Sequence, residues 1–282
     1  MPIVHQTKVP FSHSIFTIGL LALLVSGCGE AAGGVGGSGG IDGAGGVGGV
    51  GGTGGTETVT LLLNVVTASP DGPAPPAPGP PLEGARVCEM GTENCTTSDA
   101  RGKVILDLPM NQEVAYTIEK EGYGPRVISD VTDEDFPSTT LWEMFTDEQL
   151  GEIAQAIGTP YPWTGGIPGF NLASTLVLTL VGAKLRIVDG TGKPFYLEDA
   201  VTWLYSPDLD ATQVSVLGGF RPLAVAGFAE VTPGVHEFEV VNGVDCSLLQ
   251  GWPGDGPNRI RIPIVEGFNT YGSLICEGVE AP

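Results

Sequence analysis

Histidine is nearly missing from this 282-residue chain. There are three in all, and two of them, His5 and His13, fall within the first 14 residues. The remaining one, His236, sits inside the alternating stretch VHEFEV, where the pattern has it face solvent or pack beside Glu237. One histidine cannot build a histidine metal centre, and neither Cys-x-x-Cys nor His-Glu-x-x-His spacing occurs, so a zinc site lacks its parts. Bases are scarce as well. Twelve Lys and Arg face 33 Asp and Glu, a formal charge of −21, and such a surface repels nucleic acid and anionic headgroups. Long apolar runs are also absent. Ile15 to Ser26 is nearly all apolar, but a spanning helix needs about 20 residues.

That short run, preceded by Lys8, has the form of a secretory signal peptide. Residues 1–27 carry one base and no acid, so their removal leaves a still more acidic chain. The four residues Val25-Ser26-Gly27-Cys28 resemble the lipobox of bacterial lipoproteins. The resemblance implies cleavage before Cys28, acylation (palmitate) of its thiol and new amino terminus, and a stable hold on the lipid bilayer, because two or three acyl chains retain a protein where one does not. Gly29, rather than aspartate, agrees with sorting to the outer membrane. From Gly29 to Thr56 the chain is mostly glycine, with too few large apolar groups to offset the entropy of ordering it. It reads as a disordered tether, spanning roughly 30 Å on average.

Five cysteines occur. With Cys28 lipidated, four remain, an even number in an exported chain, which points to disulfides. Four cysteines permit three pairings, and the simplest joins Cys88 to Cys95 and Cys246 to Cys276, one bridge in each half. The loop lengths would make these worth roughly 2.5 and 3.7 kcal/mol.

The stretches TVTLLLNVVT, GKVILDLP and EVAYTIEKEGY alternate with period two or run apolar, as strands do. SPDGPAPPAPGPP between the first two reads as a long loop within one domain. The order PLEGARV, turn, GKVILDLP, YTIEKEGY resembles the carboxypeptidase regulatory-like domain over about residues 58–135, on Pro81-Leu82, Gly84-Ala85, Gly102, Tyr116 and Lys120 to Tyr123. That family implies a small transthyretin-like β-sandwich and no shared catalytic site. Enzymes built on related sandwiches need several histidines, and the iron-dependent ones need tyrosine ligands beside them. TDEQLGEIAQAIG reads as a helix, capped by Thr146 with Gln149 answering and ended at Gly158 and Pro160; its expected place is between two sheets. The second half repeats the first, with Gly182-Ala183-Lys184-Leu185 matching Gly84-Ala85-Arg86-Val87.

The expected organisation is therefore all-β: signal peptide 1–27, lipidated cysteine and tether 28–57, sandwich 58–140, helical connector 141–173 and a diverged second sandwich 174–282. Acid clusters such as Asp208 and Asp210 fall in loops and read as solvated. No catalytic residue, cofactor or metal ligand is expected. The candidates for ligand contact are aromatic: Trp203, Tyr205 and Trp252, with Trp163 and Tyr271 beside them, since sugars stack on such rings. The first reading is a non-catalytic binding or structural module at the cell envelope, meeting an envelope or extracellular protein. The alternatives are a carbohydrate-binding module with the carbohydrate-binding-like fold, meeting a glycan, and, more distantly, a divergent hydrolase.

Overall fold

A computed structural model describes residues 57–68, 79–134, 136, 139–174, 180–199, 204–213, 215–218 and 221–279. The lipobox, Cys28, the glycine tract, Trp203 and most of the proline-rich segment lie outside the described residues. In the first half the strands are β1 (Thr58–Thr67), β2 (Arg86–Glu89), β3 (Cys95–Thr97), β4 (Lys103–Pro109), β5 (Glu113–Glu119), β6 (Arg126–Val131) and β7 (Thr139–Met144). The helix α1 (Asp147–Ala156) follows, then β8 (Ile167–Ser174), β9 (Leu185–Ile187), β10 (Lys193–Asp199), β11 (Leu204–Ser206), β12 (Ser215–Gly218) and β13 (Arg221–Ala229). The chain continues through β14 (Gly234–Val240), β15 (Gly243–Val244), β16 (Ser247–Gln250), β17 (Trp252–Pro253), β18 (Arg259–Ile264), β19 (Asn269–Cys276) and β20 (Gly278–Val279).

The pairings show a duplication. In the first half β1 pairs antiparallel with β4 and parallel with β7, while β5 lies between β2 and β6. In the second, β8 pairs antiparallel with β13 and parallel with β19, while β14 lies between β9 and β18. Each half is thus a β-sandwich with the same strand pairings, and the fold is two tandem sandwiches. The cores follow from the period-two pattern. Leu61, Leu63 and Val65 meet Val104, Leu106, Val87, Tyr116 and Ile128 in the first; Phe170, Leu172, Phe228, Phe238, Ile260 and Ile262 fill the second.

The repeated Gly-Ala turn is built twice in the same way. Gly84 and Gly182 both take positive φ, 73° and 92°, a conformation in which a side chain is strained. Ser98 Oγ accepts the Ala85 N–H at 2.8 Å and donates to Leu82 O at 2.6 Å. Thr212 Oγ1 does the same for Ala183 N–H, at 2.9 Å, and Leu180 O, at 2.5 Å. A buried hydroxyl thus satisfies two backbone groups that the first turn leaves unpaired, while in the second it adds to a 3.2 Å bond from the Ala183 N–H to Leu180 O.

The halves meet edge to edge. β19 pairs on one side with β8 and on the other with β6, in the register Asn269↔Arg126 to Tyr271↔Ile128, so one 11-stranded sheet runs through both sandwiches. Residues 53–282 form one compact unit. The helix carries the expected capping box between Thr146 and Gln149. It does not lie between two sheets: Leu150, Ala154 and Ile157 cover Ile167, Phe195, Leu197, Tyr205 and Val225, on the face of the long sheet turned away from the second core. The reason is the sheet itself, whose β8 and β13 expose apolar residues on both faces.

Candidate functional site

The seam between the sandwiches is where the chain concentrates its unusual side chains. Arg126, the first residue of β6, is 4% exposed. Among the described residues no carboxylate lies within ion-pair distance of it. Its guanidinium instead lies 4.3 Å from the centre of the Tyr271 ring, 5.4 Å from Trp142 and 5.7 Å from Phe145. A ring face attracts a desolvated cation by about 2 kcal/mol or more, which here substitutes for an ion pair. Burial nonetheless holds the Arg126 pKa below its ordinary value. Half-buried Glu143 has its carboxyl pushed up by desolvation, with Arg126 pulling it down less strongly. Trp142 and Tyr271 lie 6.4 Å apart, and Trp142 Nε1 donates to Tyr116 Oη at 3.2 Å.

Three further bonds cross the seam. Asn269 N–H donates to Pro125 O at 2.9 Å. Trp252 Nε1 donates to Val114 O, also at 2.9 Å, and Arg261 Nη2 pairs with Glu113 at 2.5 Å. Arg261 belongs to a row of charge on the outer face of β9, β14 and β18. There Arg186 and Arg259 flank Glu239, at 2.6 and 3.7 Å, and Arg259 also meets Glu237 at 3.4 Å. Glu237, 8% exposed, accepts the Asp255 N–H at 2.6 Å as well. Opposite charges directly across strands stabilise each register modestly.

The aromatic residues singled out from sequence are engaged inside this framework. Tyr205 is 8% exposed and stands edge-on to Phe195, with ring centres 5.6 Å apart. Burial pushes its hydroxyl pKa up, and Tyr271 and Arg126 are close enough to act on it electrostatically. A ring so enclosed offers no face to a sugar. Trp163 is 6% exposed and stacks edge-on to Tyr161. Trp252 is half-buried with its indole N–H spent on Val114. Trp203 lies outside the described residues.

His236 does not pack beside Glu237, because neighbours in a strand point to opposite faces. Its Nε2 lies 2.9 Å from Thr232 O and its Nδ1 3.5 Å from Asp189 Oδ1. Thr232 Oγ1 is 3.5 Å from Nε2, which gives an outline of an Asp-His-Thr triad. The carbonyl can only accept, so Nε2 carries a hydrogen and has no lone pair with which to take one from the hydroxyl. Among the described residues no group of three His, Cys, Asp or Glu is placed to hold a metal ion.

Both disulfides join the cysteines expected from sequence. Cys88 and Cys95 face each other across β2 and β3 with Cα atoms 4.1 Å apart, and Cys246 binds Cys276 at the end of β19 with 3.9 Å.

No family model and no curated protein matches the chain. Several solved structures overlap with it. The TIE protein of Bacillus anthracis overlaps with 10% identity and a TM-score of 0.24, over 78% of this chain and 34% of that one. The minor pilin GBS52 of Streptococcus agalactiae overlaps with 13% identity and 0.22, over 79% and 98%. The shaft pilin SpaA of Lactobacillus rhamnosus GG gives 10% and 0.21, over 80% and 100%. The chain thus spans about a third of the first of these. At TM-scores this low the likeness assigns no role, and function rests on the chain's own residues.

Proposed function

We propose that the chain is a lipid-anchored envelope protein whose two sandwiches act as one stiff, non-catalytic module for protein contact or adhesion. The observation that carries this reading is the seam. Two sandwiches joined only by a linker would swing independently, whereas here a β6–β19 strand pair, a ring-clamped arginine and three crossing bonds couple them. Such coupling suits an element that holds a surface at a fixed distance and bearing. Tension arriving from the tether would enter at Thr58, the first residue of β1, which lies between β4 and β7 with ladders on both sides. The lipobox supports the anchor at Cys28, Gly29 supports the outer membrane as the site, and the glycine tract would supply reach.

Adhesion of cells displaying the full chain to protein-coated surfaces tests the reading. Adherence that survives periodate treatment of the surface and is lost on protease treatment supports it. Loss on periodate treatment would move the function to glycan binding. Turnover of an ester, amide or glycoside that a single carboxylate substitution abolishes would overturn the non-catalytic assignment.

A further inference from the structure

Among the described residues, three of the nine exposed large apolar side chains lie together on the outer face of the three-stranded sheet. Leu62 of β1 is 41% exposed, Ile105 of β4 63% and Leu141 of β7 45%. Leu62 is directly opposite Ile105, and Leu141 is opposite Asn64, two residues along the same face. The duplication gives this face a counterpart, the outer face of β13, β8 and β19, and α1 packs on the β8 and β13 part of that one. The first sandwich has no such cover among the described residues. Exposed apolar side chains in one contiguous patch mark contact surfaces.

The charges flanking the patch choose its occupant. Lys103, Ile105 and Asp107 alternate along one face of β4, so a base and an acid lie two residues to either side of Ile105. Thr60 Oγ1 donates to Asp107 Oδ1 at 2.6 Å and fixes the carboxylate. Among the described residues Lys103 forms no ion pair. If a second copy packs face to face about a two-fold axis near Ile105, Lys103 of each meets Asp107 of the other, and the patch is self-complementary as a two-fold interface requires. Two chains of charge −21 otherwise repel, and the apolar centre of this face is bracketed by one base, Lys103, and one acid, Asp107, with Glu143 a second acid further along it. Glu143 lies at the far, half-buried end, where Arg126 acts on it electrostatically without an ion pair.

We infer that this face is a self-association surface and that its occupant is a second copy of the chain. The three strands present an area of about 14 by 20 Å, roughly 600 Å² over both copies, less than a stable free dimer needs. Pairing therefore depends on copies being crowded, as an anchor would crowd them.

The test uses the full chain in intact cells. Ile105→Cys, treated with a bismaleimide of about 10 Å span, the spacing of packed sheets, should give a species of twice the mass. Leu249→Cys, equally exposed but off the face, and the unsubstituted chain should not. On the Ile105→Cys background, Lys103→Asp should lower the dimer yield about threefold or more by placing like charges together. Adding Asp107→Lys should restore it. No dimer from Ile105→Cys, equal dimer from Leu249→Cys, a cross-link to a different protein, or a double charge swap as poor as the single one would each overturn the proposal.

Discussion

Asp130 gives the fold a pH dependence opposite to that of most paired carboxylates. It lies on β6 opposite Val114, at the rim of the first core. Desolvation pushes its carboxyl up to about 7, the Val131 N–H at 2.9 Å opposes this, and Asp133 adds to the rise. The folded pKa is above the unfolded one of 3.8, so between the two the native state holds a proton that the unfolded state has released. Stability is then complete below about pH 4 and is lost as pH rises to about 7. A shift of about three units corresponds to about 4 kcal/mol, and partial access to water lowers this to about 2 to 4 kcal/mol.

Asp130→Asn keeps the size and the acceptor for the Val131 N–H and removes the charge. Urea unfolding from pH 4 to 8 should show the wild type losing about 2 to 4 kcal/mol relative to the variant, with the two equal near pH 4 and the variant the more stable at pH 8. Subtracting one curve from the other cancels the general repulsion among the 33 acids. Parallel curves would refute the assignment, and a wild type that gains on the variant with rising pH would reverse its sign.

Three further outcomes are expected. Ser98→Ala leaves a buried N–H and a carbonyl unpaired and should cost about 2 to 3 kcal/mol in chemical unfolding, and Thr212→Ala should cost less, because the Ala183 N–H keeps its bond to Leu180 O. Arg126→Ala removes a cation held by three rings and should cost about 3 kcal/mol, whereas Trp252→Ala should loosen the seam. Faster hydrogen exchange confined to β6 and β19 would report both, and global unfolding without it would place their role in the cores alone. Cys28→Ala should lose palmitate labelling and detergent partitioning; retained label would remove the lipobox from the reading.

Local features were legible in the sequence because they are decided locally. The alternation in β4 and β5 and the Thr146 and Gln149 box each depend on a few neighbouring residues, and each appears where the pattern put it; the repeat of Gly84-Ala85 at Gly182-Ala183 was legible too, though not the turn that both build. The disulfides were legible for a different reason: with one pair of cysteines in each half, short loops already favoured the pairing that the strands enforce. The position of α1 was not, because an amphipathic helix specifies that it needs an apolar partner and not which one. β8 and β13 provide that partner only once they are side by side.

The seam was illegible because no single element contains it. Val114 and Trp252 are 138 positions apart and Glu113 and Arg261 148, so no window of sequence sees either contact, and Arg126 reads as an ordinary charge at the start of a short strand. Aromatic residues looked like ligand platforms for the same reason. A ring scores as large and apolar with a polar edge, and that description suits a sugar, a core and a guanidinium equally well. What separates the three is the far side of the ring, and for Tyr271 that side is Arg126 from the other sandwich. The duplication sharpens the point. Copying one sandwich into two creates a second outer sheet face, a second edge and a second core from nearly the same pattern, but the copies then meet different neighbours. One edge became the β6–β19 seam and one face took α1 on its β8 and β13 part, while the face around Leu62 and Ile105 has no cover among the described residues.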